Sequence, residues 1–243
     1  MNSIQYVKVS YTNCFLLKCK KGYLLVDASF ASTYELFLKK LAKINVDVSD
    51  IHYLLLTHSH DDHAGFAAEL IKDTKAKIIT HKKAVTYLEK GEGGHPFLKK
   101  GLAEKGGFLN SCAKFLIWFS SKLSTRTWAY TPIKLTENDY IVDDDDFKLL
   151  KRIGIDGKIL YTPGHSEDSI SVLLSDGSAI VGDLAMNPFY FKICHNKYRP
   201  IWLQDIKEVH KSWGKLVDYG AKMIYPAHGK PFSVKKLIFP KRS

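Results

Sequence analysis

Short apolar runs alternate with helical patterns along most of this chain. The runs at 51–56 and 76–80 are mostly apolar, as expected of strands that are buried on both faces. The segment 33–44 has apolar residues at helical spacing instead, and the segment 205–219 repeats that spacing. Because strand, loop, helix and strand follow one another, the pattern predicts an α/β layered fold.

The remaining elements are predicted from shorter patterns. A helix is expected over 63–71, and the aspartates at 143–146 are expected to form a hairpin turn. Strands are expected at 7–17, 22–26, 133–135, 147–153, 159–161, 170–174, 179–181 and 223–225. The glycine-rich stretch 91–132 breaks the alternation. We therefore expect one domain over residues 1–243, with an insertion at about 91–132 that forms a lid over a pocket or a homodimer contact.

Bulk composition narrows the classes of protein only slightly. With 243 residues and 45% hydrophobic content, the chain can bury one substantial core. No window approaches the roughly 18 apolar residues of a membrane span, and the start resembles no secretory signal. The cysteines form no paired motif and are expected to be reduced thiols: Cys14, Cys19, Cys112 and Cys194. A cytoplasmic location is the expectation.

The formal net charge of +11 favours anionic partners, because a positive surface raises the local concentration of anions. The lysines are scattered in pairs, however, and the only compact basic cluster lies at 235–242. We therefore expect an anionic small molecule as the partner, in preference to a nucleic acid.

A dense cluster of metal-binding side chains follows the apolar run at 51–56. His58 and His60 lie two positions apart in an extended segment, so their side chains point the same way. A turn into the next helix lets Asp62 and His63 face the same cavity. Imidazoles and carboxylates bind zinc, and also iron or manganese. Four such groups are too many for one open zinc site, which predicts two adjacent ions.

Three later residues also follow apolar runs. His165 lies in Thr-Pro-Gly-His-Ser, Asp183 in Val-Gly-Asp, and His228 in Tyr-Pro-Ala-His-Gly. Each of them alone is more typical of a turn residue. Because open sheets place their chemistry at strand ends, the three together are predicted to complete the metal site.

These motifs, His-x-His-x-Asp-His, Gly-His, Gly-Asp and Ala-His-Gly, resemble those of the metallo-β-lactamase superfamily over residues 27–228. The resemblance implies a four-layered αβ/βα sandwich with a dinuclear site at one edge. It implies a first metal ion held by His58, His60 and His165. It implies a second held by Asp62, His63 and His228, with Asp183 bridging both. Asp27 matches an early aspartate of the family, which supports a ligand histidine.

Such a site predicts a hydrolase. Two metal ions lower the pKa of a bridging water towards ~7, and the resulting hydroxide attacks a polarised carbonyl or phosphoryl compound. Asp62 is the candidate catalytic residue that orients this nucleophile or passes on its proton. The chain has no Gly-x-Ser-x-Gly motif that would indicate a serine nucleophile.

Candidate substrate contacts come from two segments. The insertion supplies two aromatic residues, and the segment after the Gly-Asp motif supplies four polar or aromatic ones. They are Phe115, Trp118, Asn187, Tyr190, His195 and Tyr198.

The substrate class is the least determined property. The first motif resembles the glyoxalase II-like branch, which favours a small ester, thioester or lactone. The chain ends 15 residues after His228, however, without the C-terminal helical domain of that branch. One alternative is a phosphodiesterase or nuclease acting on RNA or DNA, which the charge favours. Another is a mononuclear-iron sulfur dioxygenase, which keeps a subset of these ligands.

Overall fold

The computed structural model describes residues 4–93, 129–188 and 198–237. Its strands are β1 (Gln5–Val9), β2 (Thr12–Lys18), β3 (Tyr23–Val26), β4 (Ile51–Leu55), β5 (Lys77–His81), β6 (Tyr140–Val142), β7 (Gly157–Tyr161), β8 (Ile170–Leu174), β9 (Ser178–Ile180), β10 (Met223–Tyr225) and β11 (Phe232–Ser233). Its helices are α1 (Tyr34–Lys43), α2 (Asp61–Ala64), α3 (Ala67–Thr74), α4 (Val85–Lys90), α5 (Leu149–Ile153) and α6 (Ile206–Asp218). Single 3-10 turns lie at Ala31–Thr33, Val48–Asp50, Lys82–Ala84 and Val234–Lys236.

The strands form two sheets. The first sheet has the order β1-β2-β3-β4-β5-β6, in which β1 to β3 are antiparallel and β3 to β6 are parallel. The second sheet has the order β11-β10-β9-β8-β7, and in it only β9 and β10 are parallel neighbours. Loops that follow parallel strands leave the same edge of a sheet, which brings their side chains together.

Apolar residues on both faces of the sheets create four layers. Along β2, Leu16 points outward into the cluster with the helices, whereas Phe15 and Leu17 point into the cluster between the sheets. Helices α1, α3 and α4 cover the outer face of the first sheet, and α6 covers that of the second. Helix, sheet, sheet and helix therefore follow one another, and the predicted four-layered sandwich is confirmed.

Helix α6 supports the loop that carries one candidate ligand. Asp205 begins the helix, because its carboxylate accepts hydrogen bonds from the N–H groups of Lys207 and Glu208 at 2.7 and 3.3 Å. The buried Trp213 lies on the covered face and donates its indole N–H to the carbonyl oxygen of Leu184 at 2.9 Å. Since Leu184 follows Asp183, this bond stabilises the loop that follows β9.

The predicted strand at 147–153 is wrong, because these residues form α5. Leu149, Leu150 and Ile153 lie at helical spacing and are buried. The side chain of Asp146 accepts hydrogen bonds from the first N–H groups of the helix, and Gly154 ends it at a φ of +95°. The expected hairpin turn at 143–146 is instead the connection between β6 and the helix that begins at Leu149.

Three further elements differ from the prediction. The expected strand at 7–17 is a hairpin of β1 and β2, broken at Ser10, whose φ is +57°. The expected helix at 63–71 is divided into α2 and α3 around Gly65. Residues 133–135, which the structure describes, form no strand; β6 pairs with β5 instead, and Ile133 donates its N–H to the carbonyl oxygen of Leu88.

Most of the predicted insertion at 91–132 lies outside the described residues, so its role as a lid or a homodimer contact stays a prediction. Within the described ranges, no helix is both long and apolar enough to cross a membrane. The single domain and the cytoplasmic location also stay predictions.

Candidate metal centre

The seven predicted ligands lie in segments that follow four strands, and two of them, Asp62 and His63, are in helix α2. Residues 58–63 follow β4, His165 follows β7, Asp183 follows β9 and His228 follows β10. The structure brings all seven together as two groups, and within each group the candidate ligand atoms lie within 4.8 Å of one another. The first group consists of His58, His60 and His165. The second group consists of Asp62, His63, Asp183 and His228.

The first group consists of three buried imidazoles. Nε2 of His58 lies 3.0 Å from Nδ1 of His60, and Nε2 of His165 lies 3.1 Å from the same atom. The candidate ligand atoms of this group are thus three ring nitrogens, and the group itself contains no carboxylate. Such a cluster can hold a cation that accepts nitrogen ligands.

The second group combines two imidazoles with two carboxylates. Nε2 of His228 lies 3.0 Å from Oδ2 of Asp62 and 3.2 Å from Oδ1 of Asp183. Nε2 of His63 lies 3.4 Å from the same oxygen of Asp183. The other oxygen of Asp183 faces the first group, at 3.7 Å from Nε2 of His165. Asp183 therefore lies between the two groups.

Two buried atoms of the second group test whether a metal ion fits. Nε2 of His63 and Oδ1 of Asp183 have no hydrogen-bond partner in the described part of the chain. A buried polar atom without a partner costs about 1–3 kcal/mol, so native proteins rarely leave one unpaired. A divalent cation would satisfy both atoms, and nitrogen and carboxylate donors suit zinc, iron or manganese. The residues present therefore fit metal ions.

In three of the candidate ligand histidines, Nδ1, the ring nitrogen that is not the candidate ligand atom, lies against a hydrogen-bond acceptor of the protein. Nδ1 of His63 lies 2.9 Å from Oδ2 of Asp27, whose other oxygen accepts the N–H of Thr57. Nδ1 of His165 bonds to the carbonyl oxygen of Trp202 at 2.7 Å, and Nδ1 of His228 to that of Tyr11 at 3.0 Å. Because a carbonyl oxygen only accepts, Nδ1 of His165 and of His228 carries the hydrogen. Nε2 then remains for a cation.

The two groups differ in the pKa values of their side chains. Burial, together with the neighbouring rings, holds the pKa of His58 well below its usual value, and burial also lowers the pKa of His165. Burial disfavours the charged form of His63 and His228 too. Nearby carboxylates outweigh that effect, with Asp62 first for His63 and Asp183 first for His228, and raise both pKa values well above the usual range. Without metal, the neutral forms of His58 and His165 are favoured, and the second group is charge-compensated.

Sequence reasoning missed two residues that hold the first motif. The buried carboxylate of Asp168 accepts the N–H of Ser59 at 2.8 Å, and the hydroxyl of Tyr130 donates to the carbonyl oxygen of Ser59 at 2.9 Å. Ser59 separates His58 from His60, so both bonds fix the peptide that carries two candidate ligands. The only available signal was the place of Asp168 three residues after His165.

The candidate substrate contacts are only partly described. Asn187 donates its N–H to the carbonyl oxygen of His228 at 2.8 Å and its side-chain amide to that of Lys230 at 2.9 Å. The ring of Tyr198 stacks on Phe232 at a centroid distance of 4.3 Å. Neither contact tests a role in substrate binding, which stays a prediction. Outside the described residues lie Phe115, Trp118, Tyr190 and His195.

Gly182 is a position where we expect substitution to disturb the centre. Its φ is +52°, and a Cβ there would lie 2.4 Å from Oγ1 of Thr57. We expect Gly182→Ala to lower the free energy of unfolding by about 1–3 kcal/mol, through backbone strain and overpacking. Urea denaturation of chelator-treated protein measures this change.

The matched control for that experiment is Gly214→Ala in α6. A Cβ at Gly214 meets no atom within 4 Å, so alanine in this helix should stabilise the protein by up to about 1 kcal/mol. Equal free energies of unfolding for the two variants would contradict the expected strain at Gly182.

Comparisons with known proteins identify the family of this chain. A family model described as the metallo-beta-lactamase superfamily matches residues 7–228. The probable metallo-hydrolase YqjP of Bacillus subtilis (strain 168) is 26% identical over 220 residues, which cover 84% of this chain and 62% of that protein. The metallo-beta-lactamase fold-containing protein ST1585 of Sulfurisphaera tokodaii is 26% identical over 186 residues, with coverages of 76% and 63%. The matches thus span a little over three fifths of each relative's length.

Solved structures show the same fold. The metallo-beta-lactamase family protein TTHA1429 from Thermus thermophilus has a TM-score of 0.63 at 22% identity, covering 97% of this chain and 76% of that one. The subclass B3 metallo-beta-lactamase BJP-1 of Bradyrhizobium japonicum has a TM-score of 0.62 at 21% identity, with coverages of 94% and 75%. Since the family model covers most of the sequence and the layers agree, the chain belongs to the metallo-β-lactamase superfamily.

Proposed function

We propose that this chain is a metal-dependent hydrolase with a dinuclear centre. The observation that carries the proposal is the position of Asp183, whose two oxygens face the two groups of candidate ligands. The first ion would be held by His58, His60 and His165. The second would be held by Asp62, His63 and His228, with Asp183 shared between the two. The description of YqjP as a probable metallo-hydrolase supports a metal-dependent hydrolase, and the division of the ligands rests on the geometry alone.

Zinc ions, with iron or manganese as alternatives, would polarise the substrate's carbonyl oxygen and acidify a water molecule. The chain itself supplies a carboxylate at the open side of the centre. The side chain of Asp62 is 17% exposed, against 6% for Asp183, so Asp62 is the more accessible of the two. Its oxygens can orient a water molecule and accept its proton. Asp62 is therefore the proposed catalytic residue.

The proposed substrate is a small ester, thioester or lactone. The first motif supports this class through its resemblance to the glyoxalase II-like branch. A net charge of +11 supports an anionic member of the class, because a positive field concentrates anions near the protein. The fold alone does not select a substrate, so the assignment requires a direct test.

Metal analysis and a substrate panel test the proposal together. The expected result is two metal ions per chain, and hydrolysis of thioesters or lactones that stops after chelation and returns with zinc. If the protein instead prefers bis-(p-nitrophenyl) phosphate, the proposed substrate class changes from acyl compounds to phosphodiesters. Nucleic acids would then be tested as substrates. A single iron with no hydrolysis would overturn the hydrolase in favour of a sulfur dioxygenase.

A further inference from the structure

The β1–β2 hairpin holds the loop that carries His228. Asn13 in β2 is buried, with 3% of its surface exposed. Its side-chain amide donates to the carbonyl oxygen of Pro226 at 3.0 Å and to that of Gly229 at 2.8 Å. Its backbone N–H donates to the carbonyl oxygen of Ala227 at 2.8 Å. One residue therefore holds the loop on both sides of His228.

The same hairpin also orients the imidazole of His228. The carbonyl oxygen of Tyr11, in the turn between β1 and β2, accepts a hydrogen bond from Nδ1 of His228 at 3.0 Å. This contact directs Nε2 towards Asp62 and Asp183, at 3.0 and 3.2 Å. The hairpin thus contacts both the backbone of the loop and the ring of His228.

The loop that carries His228 also contacts the segment after β9, where Ala227 donates its N–H to the carbonyl oxygen of Gly182 at 2.9 Å and the carbonyl oxygen of His228 accepts the N–H of Asn187 at 2.8 Å. Strand β10 is only three residues long, and Gly229 has a φ of +102°. The side chain of His228 is 15% exposed, whereas those of His63 and His165 are 0% and 1% exposed. The second group is therefore open at Asp62 and His228, and the loop of His228 is held by β2 on one side and by the segment after β9 on the other.

We propose that Asn13 is a positioning residue that sets the affinity of the second metal position, formed by Asp62, His63 and His228. It acts by holding the loop at 226–229, since none of its hydrogen bonds reaches a ligand of the first position. The inference rests on the proposed function only in requiring that both positions bind metal ions. A ligand whose backbone is not fixed must be ordered on binding, which lowers affinity.

Asn13→Leu tests the proposal, because leucine has the same number and branching of side-chain heavy atoms and no donor. We expect a Co²⁺ titration of chelator-treated protein, followed by visible absorption, to show the first equivalent bound as in the unaltered chain. The second equivalent should bind about 10- to 100-fold more weakly. Elemental analysis after dialysis should show one retained ion. Asn13→Ser keeps one donor and serves as the second variant in case Asn13→Leu fails to fold. It should also weaken binding of the second equivalent, but by less.

Thr12→Val is the matched control on the same hairpin. Thr12 is fully buried and its hydroxyl has no hydrogen-bond partner in the described ranges, so valine removes no bond. We expect both Co²⁺ equivalents to bind Thr12→Val as they bind the unaltered chain. Equal weakening in Thr12→Val and Asn13→Leu would overturn the proposal, because any change in the hairpin would then suffice.

Three other results would also overturn it. They are an unchanged second equivalent in Asn13→Leu, an equal loss at both positions, and an unaltered chain that binds a single ion. The proposed function fails by a different result, namely two bound ions without hydrolysis of any compound in the panel. In that case the effect of Asn13→Leu on the second equivalent would still stand.

Discussion

Asp183→Asn is expected to lower kcat/KM by at least about 1000-fold and to reduce bound metal from two ions to about one. The carboxylate of Asp183 faces His63 and His228 with one oxygen and His165 with the other. Asparagine has nearly the same shape but no negative charge, and only one of its two terminal atoms can bind a cation. The change therefore removes the carboxylate that faces both groups of candidate ligands.

Kinetics on the substrate selected by the panel, with metal analysis of the same samples, measure this effect. Asp176→Asn is a matched control, because Asp176 lies just before β9, at the end away from Asp183, and caps the N–H of Ser178. We expect Asp176→Asn to retain activity and both ions. Full activity and full metal content in Asp183→Asn would refute the shared role.

Asp27→Ala is expected to lower the free energy of unfolding of metal-free protein by about 3–5 kcal/mol. Asp27 is fully buried and accepts hydrogen bonds from the N–H and hydroxyl of Thr57 and from Nδ1 of His63. Alanine would leave these donors unpaired in the interior. It would also adopt a φ of +65° less easily than aspartate.

Urea denaturation after chelation measures this loss without the contribution of bound metal. Asp27→Asn keeps the shape of the side chain and removes its charge. Its metal content therefore distinguishes the effect of the charge on metal binding from the effect of a disturbed fold. The control is Asp73→Ala, which removes an exposed carboxylate that accepts one bond from Tyr34, and a much smaller change is expected. Equal losses of the free energy of unfolding for Asp27→Ala and Asp73→Ala would contradict the larger stabilisation expected from the buried contacts of Asp27.

The candidate ligands could be predicted because each has a distinctive chemistry and a local context. His58 to His63 are neighbours in the chain, so connectivity alone keeps them close. His165, Asp183 and His228 needed a further argument from strand ends, and the structure does bring them to the same edge. Their role as ligands stays a prediction that the experiments above address.

The supporting residues could not be predicted in the same way. Asn13 and Asp168 act through hydrogen bonds to backbone atoms of residues far away in the sequence. An asparagine in a strand or an aspartate in a turn has no pattern that indicates such a partner. The error at 147–153 has a related cause, since a short apolar run fits a strand and a helix equally well. The capping bonds of Asp146 and the left-handed Gly154 favour the helix.

By itself, the sequence determined the layered α/β class, the family resemblance and the seven candidate ligands. Each of these depends on periodicity or on residue types within short segments, which the chain order preserves. Only the tertiary structure decided how the ligands divide into two groups, and which carbonyl and carboxylate groups orient their rings. It also showed that the β1–β2 hairpin holds His228. Those properties depend on the pairing of distant segments, which packing of the two sheets creates and no local pattern encodes.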